Sequence, residues 1–217
     1  MIMERHGFAM EVKKGQMNEY RRRLGEIWPD LTAFLDRNGI HNFSVWNTDS
    51  LIFGYYENTD GAVLSAEETA VKDALVKKIE DTFTWISTPG EDMRLMYHNF
   101  GIVRENKELI RHRMFMTKLK PGCEEEYKRR HDGLIEQRGD IIDPGPDSNF
   151  SIWCAGGYIF GYDEIDTTME KEETEEDRQT TIAWETRQLE IMDWITNDVD
   201  WMTGEHHSSS RRLAWHA

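Results

Sequence analysis

Two side chains four residues apart carry the clearest chemical signal in the chain, Tyr127 and His131. Residues at i and i+4 share one face of a helix. An imidazole titrating near neutrality can take or give a proton, and a phenol one turn before it can orient or donate. The pair therefore suits general acid–base work in a pocket. A plainer reading leaves His131 on a solvated basic face beside Arg129 and Arg130. The same segment stands earlier in the chain with Tyr20 but with Leu24 in place of the histidine. The sequence has no glycine-rich phosphate loop, Walker sequence or dinucleotide fingerprint, and no Cys or Ser nucleophile pattern stands out. Neither His41 nor His206-His207 has a ligand partner at a metal spacing, so no metal site is expected.

The elements that must hold this pair come twice. Tyr20-Arg21-Arg22-Arg23 returns as Tyr127-Lys128-Arg129-Arg130, Asn42-Phe43-Ser44-Val45-Trp46 as Asn149-Phe150-Ser151-Ile152-Trp153, and Ile52-Phe53-Gly54-Tyr55 as Ile159-Phe160-Gly161-Tyr162, all at one offset. Three blocks in one register mark a tandem duplication, with units at 1–106 and 107–217. Each unit opens with an alternating strand, Phe8 to Val12 or Met114 to Leu119. An amphipathic helix follows, with Met17, Tyr20, Leu24, Ile27, Leu31, Phe34 and Leu35 at helical spacing. Pro29 predicts a kink or break in that helix, and Asn38-Gly39 its end. Two strands around Asn47 to Ser50 form a hairpin. Residues 66–87 read as a second helix, and Met93 to Phe100 as a closing strand.

The second unit repeats this order. Its first helix spans about Glu124 to Gln137, and a loop follows at Asp143 to Asp147. A helix carries Trp184, Leu189, Met192, Ile195, Val199 and Trp201, and Arg211 to His216 closes the unit. The expected fold is α+β: two ferredoxin-like β-α-β-β-α-β modules in tandem. Each module leaves one sheet face uncovered by helices, so the two are expected to cover each other as an intrachain pseudo-dimer, with further assembly left open.

Composition narrows the partners. The net charge of −15 repels phosphate backbones and anionic lipid, so neither nucleic acid nor a membrane is an expected partner. With 8 Trp, 9 Phe and 7 Tyr the chain is too rich in aromatics for disorder. Cys123 and Cys154 form no disulfide framework, and no apolar run reaches membrane or signal length. These features fit a soluble protein of a reducing compartment, the cytoplasm by default.

The run Glu19-Tyr20-Arg21-Arg22-Arg23-Leu24-Gly25-Glu26-Ile27-Trp28-Pro29-Asp30-Leu31, followed by Gly39-Ile40-His41-Asn42-Phe43, resembles the L-rhamnose mutarotase family of the dimeric α+β barrel superfamily. That family carries Glu-Tyr-x-x-x-His before Ile-Trp-Pro-Glu-Leu, then Gly-x-His-Asn-Tyr, and an adjacent Trp-Trp pair on the second helix. The resemblance implies a cofactor-free isomerase that interconverts the anomers of a monosaccharide. One group takes the anomeric hydroxyl proton and another protonates the ring oxygen. It points to His131 and Tyr127 as catalytic. Tyr20, Arg21, Trp28, Asn42, Trp46, Asn149, Trp153 and Trp184 are candidate sugar contacts. An arginine fork and asparagine amides would meet hydroxyls, and tryptophan rings the C–H face of the sugar. The alternative for the tyrosines and strand tryptophans is ordinary core packing. The chain departs from the family at Leu24 and in lacking a Trp-Trp pair, with Trp85, Trp184 and Trp194 as stand-ins. Two rival functions therefore stay open: a non-catalytic carbohydrate-binding or regulatory module, and a divergent monooxygenase-type α+β barrel acting on an apolar ligand.

Overall fold

The computed structural model describes residues 3–59, 61–195 and 210–217. The chain forms two compact units, Met1–Met93 with Arg211–Ala217, and Arg94–Ser210. Their bounds differ from the sequence repeat at 1–106 and 107–217 because the closing strands are exchanged.

Unit one begins with β1 (Met3–Val12), α1 (Met17–Arg37), β2 (His41–Thr48) and β3 (Leu51–Thr59). α1 buries Tyr20, Leu24, Ile27, Phe34 and Leu35 against the sheet, the stripe expected from a 3.6-residue period. It runs unbroken through Pro29, so of the expected kink or break the break does not occur. The missing proline N–H would have met the carbonyl of Gly25, and both residues are exposed, so water can take that carbonyl. β2 and β3 form the hairpin, with a register shift between His41 and Ser44.

The second helix stops early. α2 (Ala66–Lys77) ends before a single 3-10 turn, Glu80–Thr82, and β4 (Phe83–Trp85) then pairs with β1. The expected helix over 66–87 is thus a helix and a short strand, and Trp85 is a strand residue.

Unit two follows the same plan with β6 (Ile110–Leu119), α3 (Glu124–Arg138), β7 (Asp147–Ala155), β8 (Tyr158–Asp166), α4 (Glu175–Gln188) and β9 (Met192–Trp194). α4 starts in a capping box, in which Thr174 and Asp177 each bond the other's backbone N–H. Met192 and Trp194 belong to β9, not to the helix, and Ile195 follows that strand. Val199, Trp201 and the His206-His207 pair lie outside the described residues.

The closing strands are where the sheets depart most from the expected modules. β5 (Arg94–Asn99), expected to end the first module, pairs with β7 in the sheet β5-β7-β8-β6-β9. β10 (Arg211–His216) pairs with β2 in the sheet β10-β2-β3-β1-β4. Each repeat thus gives its last strand to the other repeat's sheet. Strand alternation divides each sheet. Phe43, Val45 and Ile52 meet the helices of unit one, while Phe53, Tyr55 and Ser44 on the other face are fully buried.

Candidate functional site

His131 and Tyr127 meet as the sequence predicts, but deep in the interior. His131 is 4% exposed and Tyr127 2%. The imidazole stacks on the Tyr127 ring at 4.1 Å, and Trp184 meets it edge-on at 5.2 Å. Nδ1 lies 2.9 Å from the Tyr127 carbonyl oxygen. A carbonyl can only accept, so Nδ1 carries the proton and Nε2 keeps a lone pair. Nε2 makes no hydrogen bond among the described residues. Burial pushes the imidazole down to about 4, opposed in part by the Tyr127 carbonyl and Asp132. The ring is therefore neutral at pH 7. Burial likewise raises the Tyr127 phenol far above its ordinary range, with Glu185 adding to the shift, so it stays a donor.

What closes the histidine off is Tyr97 on β5. Its ring stands 5.5 Å from His131 and 5.5 Å from Phe150. Tyr97 pairs with Ile152 as Ala214 on β10 pairs with Val45, so the two are equivalent positions of the duplicated fold. Alanine at that place leaves unit one open. There a cleft of about 360 Å³ is lined by Arg21, Leu24, Gly25, Trp28, Leu213, Ala214 and Trp215. That volume is at the low end for small-molecule sites. One repeat thus has the histidine under a tyrosine cover, and the other has the cleft with Leu24 in the histidine's place. Tyr97→Ala is expected to let water reach His131 and move its pKa back from about 4 toward 6.5. NMR titration of the His131 ring proton reads this, and a value that stays low would clear Tyr97 of the screening role.

In the unit-one cleft, Arg21 donates from Nη2 to Asn47 Oδ1 at 2.7 Å, and its buried Nε has no partner among the described residues. Trp28 and Trp215 supply flat apolar walls, and the Trp215 indole donates to Asn42 Oδ1 at 3.1 Å. Arg212 lies over the Trp215 ring at 5.3 Å.

The other sequence candidates sit elsewhere. Tyr20 is 1% exposed and edge-on to Phe83 in the core. Asn42 and Asn149 occupy left-handed backbone, φ 49° and 53°, at the register shifts of β2 and β7. Their amides donate to the buried Glu57 and Glu164 carboxylates at 2.9 and 3.1 Å. Trp46 and Trp153 lie on the sheet face away from the helices, their indoles donating to Ser44 and Ser151 at 3.0 Å. Arg23 and Arg130, in the basic runs, clamp the two helices of their units. Each bonds a glutamate on its own helix and a carbonyl at the C-terminal end of the second, Lys78 or Arg187.

Sequence reasoning missed Tyr97, Trp215 and Asp163. Asp163 is 4% exposed on the helix-facing side of β8. Burial, then the neighbouring Asp147, raises its carboxyl well above the usual range, with Arg113 opposing. Its Oδ1 has no partner among the described residues. Among those residues no cluster of three or more His, Cys, Asp or Glu could hold a metal ion, and no helix is long and apolar enough to cross a membrane.

These features define an α+β protein built from two copies of one helix-covered sheet, with an aromatic-lined histidine in one copy. The sequence model of the L-rhamnose mutarotase family matches residues 5–91 and again 112–215, and the chain belongs to that family. The L-rhamnose mutarotase of Oceanobacillus iheyensis is 40% identical over 60 residues, 27% of this chain and 58% of that protein. That of Bacteroides thetaiotaomicron is 37% identical over the same shares. The chain therefore spans 58% of the length of these relatives. A solved structure of an anthrone oxidase-like protein covers 97% of the chain at 11% identity, with a TM-score of 0.44, a likeness too remote to carry an argument.

Proposed function

We propose that the chain interconverts the anomers of a free monosaccharide, a deoxy or related sugar, by general acid–base ring opening without a cofactor. With the Tyr97 ring moved aside to admit the sugar, His131 Nε2 takes the anomeric hydroxyl proton as the bond from the anomeric carbon to the ring oxygen breaks. That oxygen then receives a proton, and the ring recloses from either face. The observation that carries this reading is the state of His131: the Tyr127 carbonyl fixes its tautomer, and burial keeps it neutral with Nε2 unengaged. Tyr127 holds the ring by stacking. Its phenol, kept protonated by burial, is the donor to the ring oxygen.

The first repeat favours a second role within the same reading. Leu24 cannot move a proton, yet Arg21, Trp28 and Trp215 leave a hydrogen-bond donor and flat apolar walls around an open cleft. That cleft would hold a sugar without turning it over. Saturation-transfer NMR on L-rhamnose, other deoxy sugars and uronic acids tests the proposal. Wild-type chain is expected to speed exchange of at least one neutral sugar, and His131→Ala to slow it at least tenfold while the fold persists. Exchange unchanged in the variant rejects His131. Binding by calorimetry with no exchange in the wild type selects the non-catalytic carbohydrate-binding module.

A further inference from the structure

We propose that Gln188 is a ligand-binding residue of the second repeat, its side-chain amide contacting adjacent hydroxyls of a neutral cyclic polyol. The proposal rests on the mutarotase reading and names a residue and a ligand class for it. Gln188 is 1% exposed, and neither its Nε2 nor its Oε1 has a hydrogen-bond partner among the described residues. A buried, unmet amide is costly and persists only where something offsets it.

The duplication shows that the fold does not ask for it. Thr82 N donates to the Ile79 carbonyl as Ile191 N donates to that of Gln188, so Ile79 is the matching residue of the first repeat. Leu24 and Leu75 likewise match His131 and Trp184. Ile79, Leu24 and Leu75 share one apolar core with Tyr20. The same scaffold position is thus oily in one copy and polar in the other. The polar version accompanies the histidine. Trp184 meets His131 at 5.2 Å, and Gln188 follows Trp184 by one turn on the same face of α4.

An amide offers one donor and one acceptor side by side, which matches two neighbouring hydroxyls. An amide brings no charge to balance a carboxylate, and, among the described residues, no Lys or Arg is one of the groups that meet the His131 ring or shift Tyr127 here. The class is therefore a neutral sugar and not a uronic acid.

The test uses the full chain, L-rhamnose and D-glucuronate as probes, and Gln188→Met and Gln188→Ile as variants. Ile is the residue that already folds at this position in the first repeat. Exchange by saturation-transfer NMR, affinity by calorimetry and the thermal midpoint are read together. Wild type is expected to bind and turn over L-rhamnose in preference to the uronate. Both variants should bind L-rhamnose at least tenfold more weakly with midpoints equal to or above wild type, since a lone buried amide has gone. A purely structural glutamine would lower the midpoint and leave affinity alone, and that result overturns the proposal while the mutarotase reading stands. A wild type that neither binds nor exchanges L-rhamnose overturns both, and preference for the uronate overturns the ligand class.

Discussion

Replacing His131 with leucine, the residue of the first repeat, is expected to make the protein resist acid better than the wild type. The folded imidazole titrates at about 4, against an ordinary value of 6.5. As pH falls through 6.5 the unfolded chain gains a proton that the folded chain refuses until about 4. The stability this histidine contributes is complete above 6.5 and is lost progressively across that window. The size of the gap caps the loss at about 3 kcal/mol. Carboxylates held low by arginines, such as Glu126 beside Arg130 and Arg129, also cost stability in acid, but they do so in both proteins. The difference between the urea midpoints of wild type and His131→Leu, followed from pH 7.5 to 4, isolates the imidazole. It should favour the variant increasingly below 6.5. A flat difference would mean that water reaches the ring in the folded state. The screening by Tyr97 would then fall.

The sequence showed the first halves of both repeats because long periodic elements leave a pattern. The helix Met17–Arg37 buries five residues at helical spacing, and the hairpin strands repeat almost residue for residue. It hid the second halves for a physical reason. Phe83–Trp85 and Met192–Trp194 are three-residue strands, too short to show a period of two, and their apolar residues continue a helical spacing by accident. Pro29 does not break its helix, because the carbonyl it orphans lies on the exposed side, where water can meet it.

The site was legible in the same uneven way. Tyr127 and His131 are neighbours on one helix, so their meeting is local. Tyr97 belongs to the first repeat in sequence and to the second repeat's sheet in space, and no reading of adjacency would bring it to His131. Gln188 lies in no motif. Its oddity appears only when Ile79 is seen at the same place in the other copy. The exchange of β5 and β10 is thus the step that local patterns leave out, and it decides which copy is open and which is covered.

Gly161→Ala is expected to cost about 2–3 kcal/mol, large for the addition of one methyl group. Glycine in a strand usually weakens it. Here Gly161 faces Phe115 across the β6–β8 pair, and a Cβ would fall 2.0 Å from Phe115 Cε1 and 2.1 Å from Cζ. The ring has little room to yield, since Phe150 stands 6.2 Å away and Trp194 5.9 Å. Gly54 under Phe8 repeats the arrangement in the first unit, with a Cβ 1.9 Å from Phe8 Cζ. Urea denaturation of Gly161→Ala, Phe115→Leu and the double variant separates the causes. If the clash is the cause, the double variant should lose less than the sum of the two single losses. Additive losses would show that the methyl group acts on the strand backbone instead. The consequence reaches the site, because Phe115 packs on Phe150, Phe150 on Tyr97, and Tyr97 covers His131. A ring displaced at Gly161 pushes on that cover. The ring-proton titration of His131 should therefore move upward from about 4 in Gly161→Ala even under conditions where the variant remains folded.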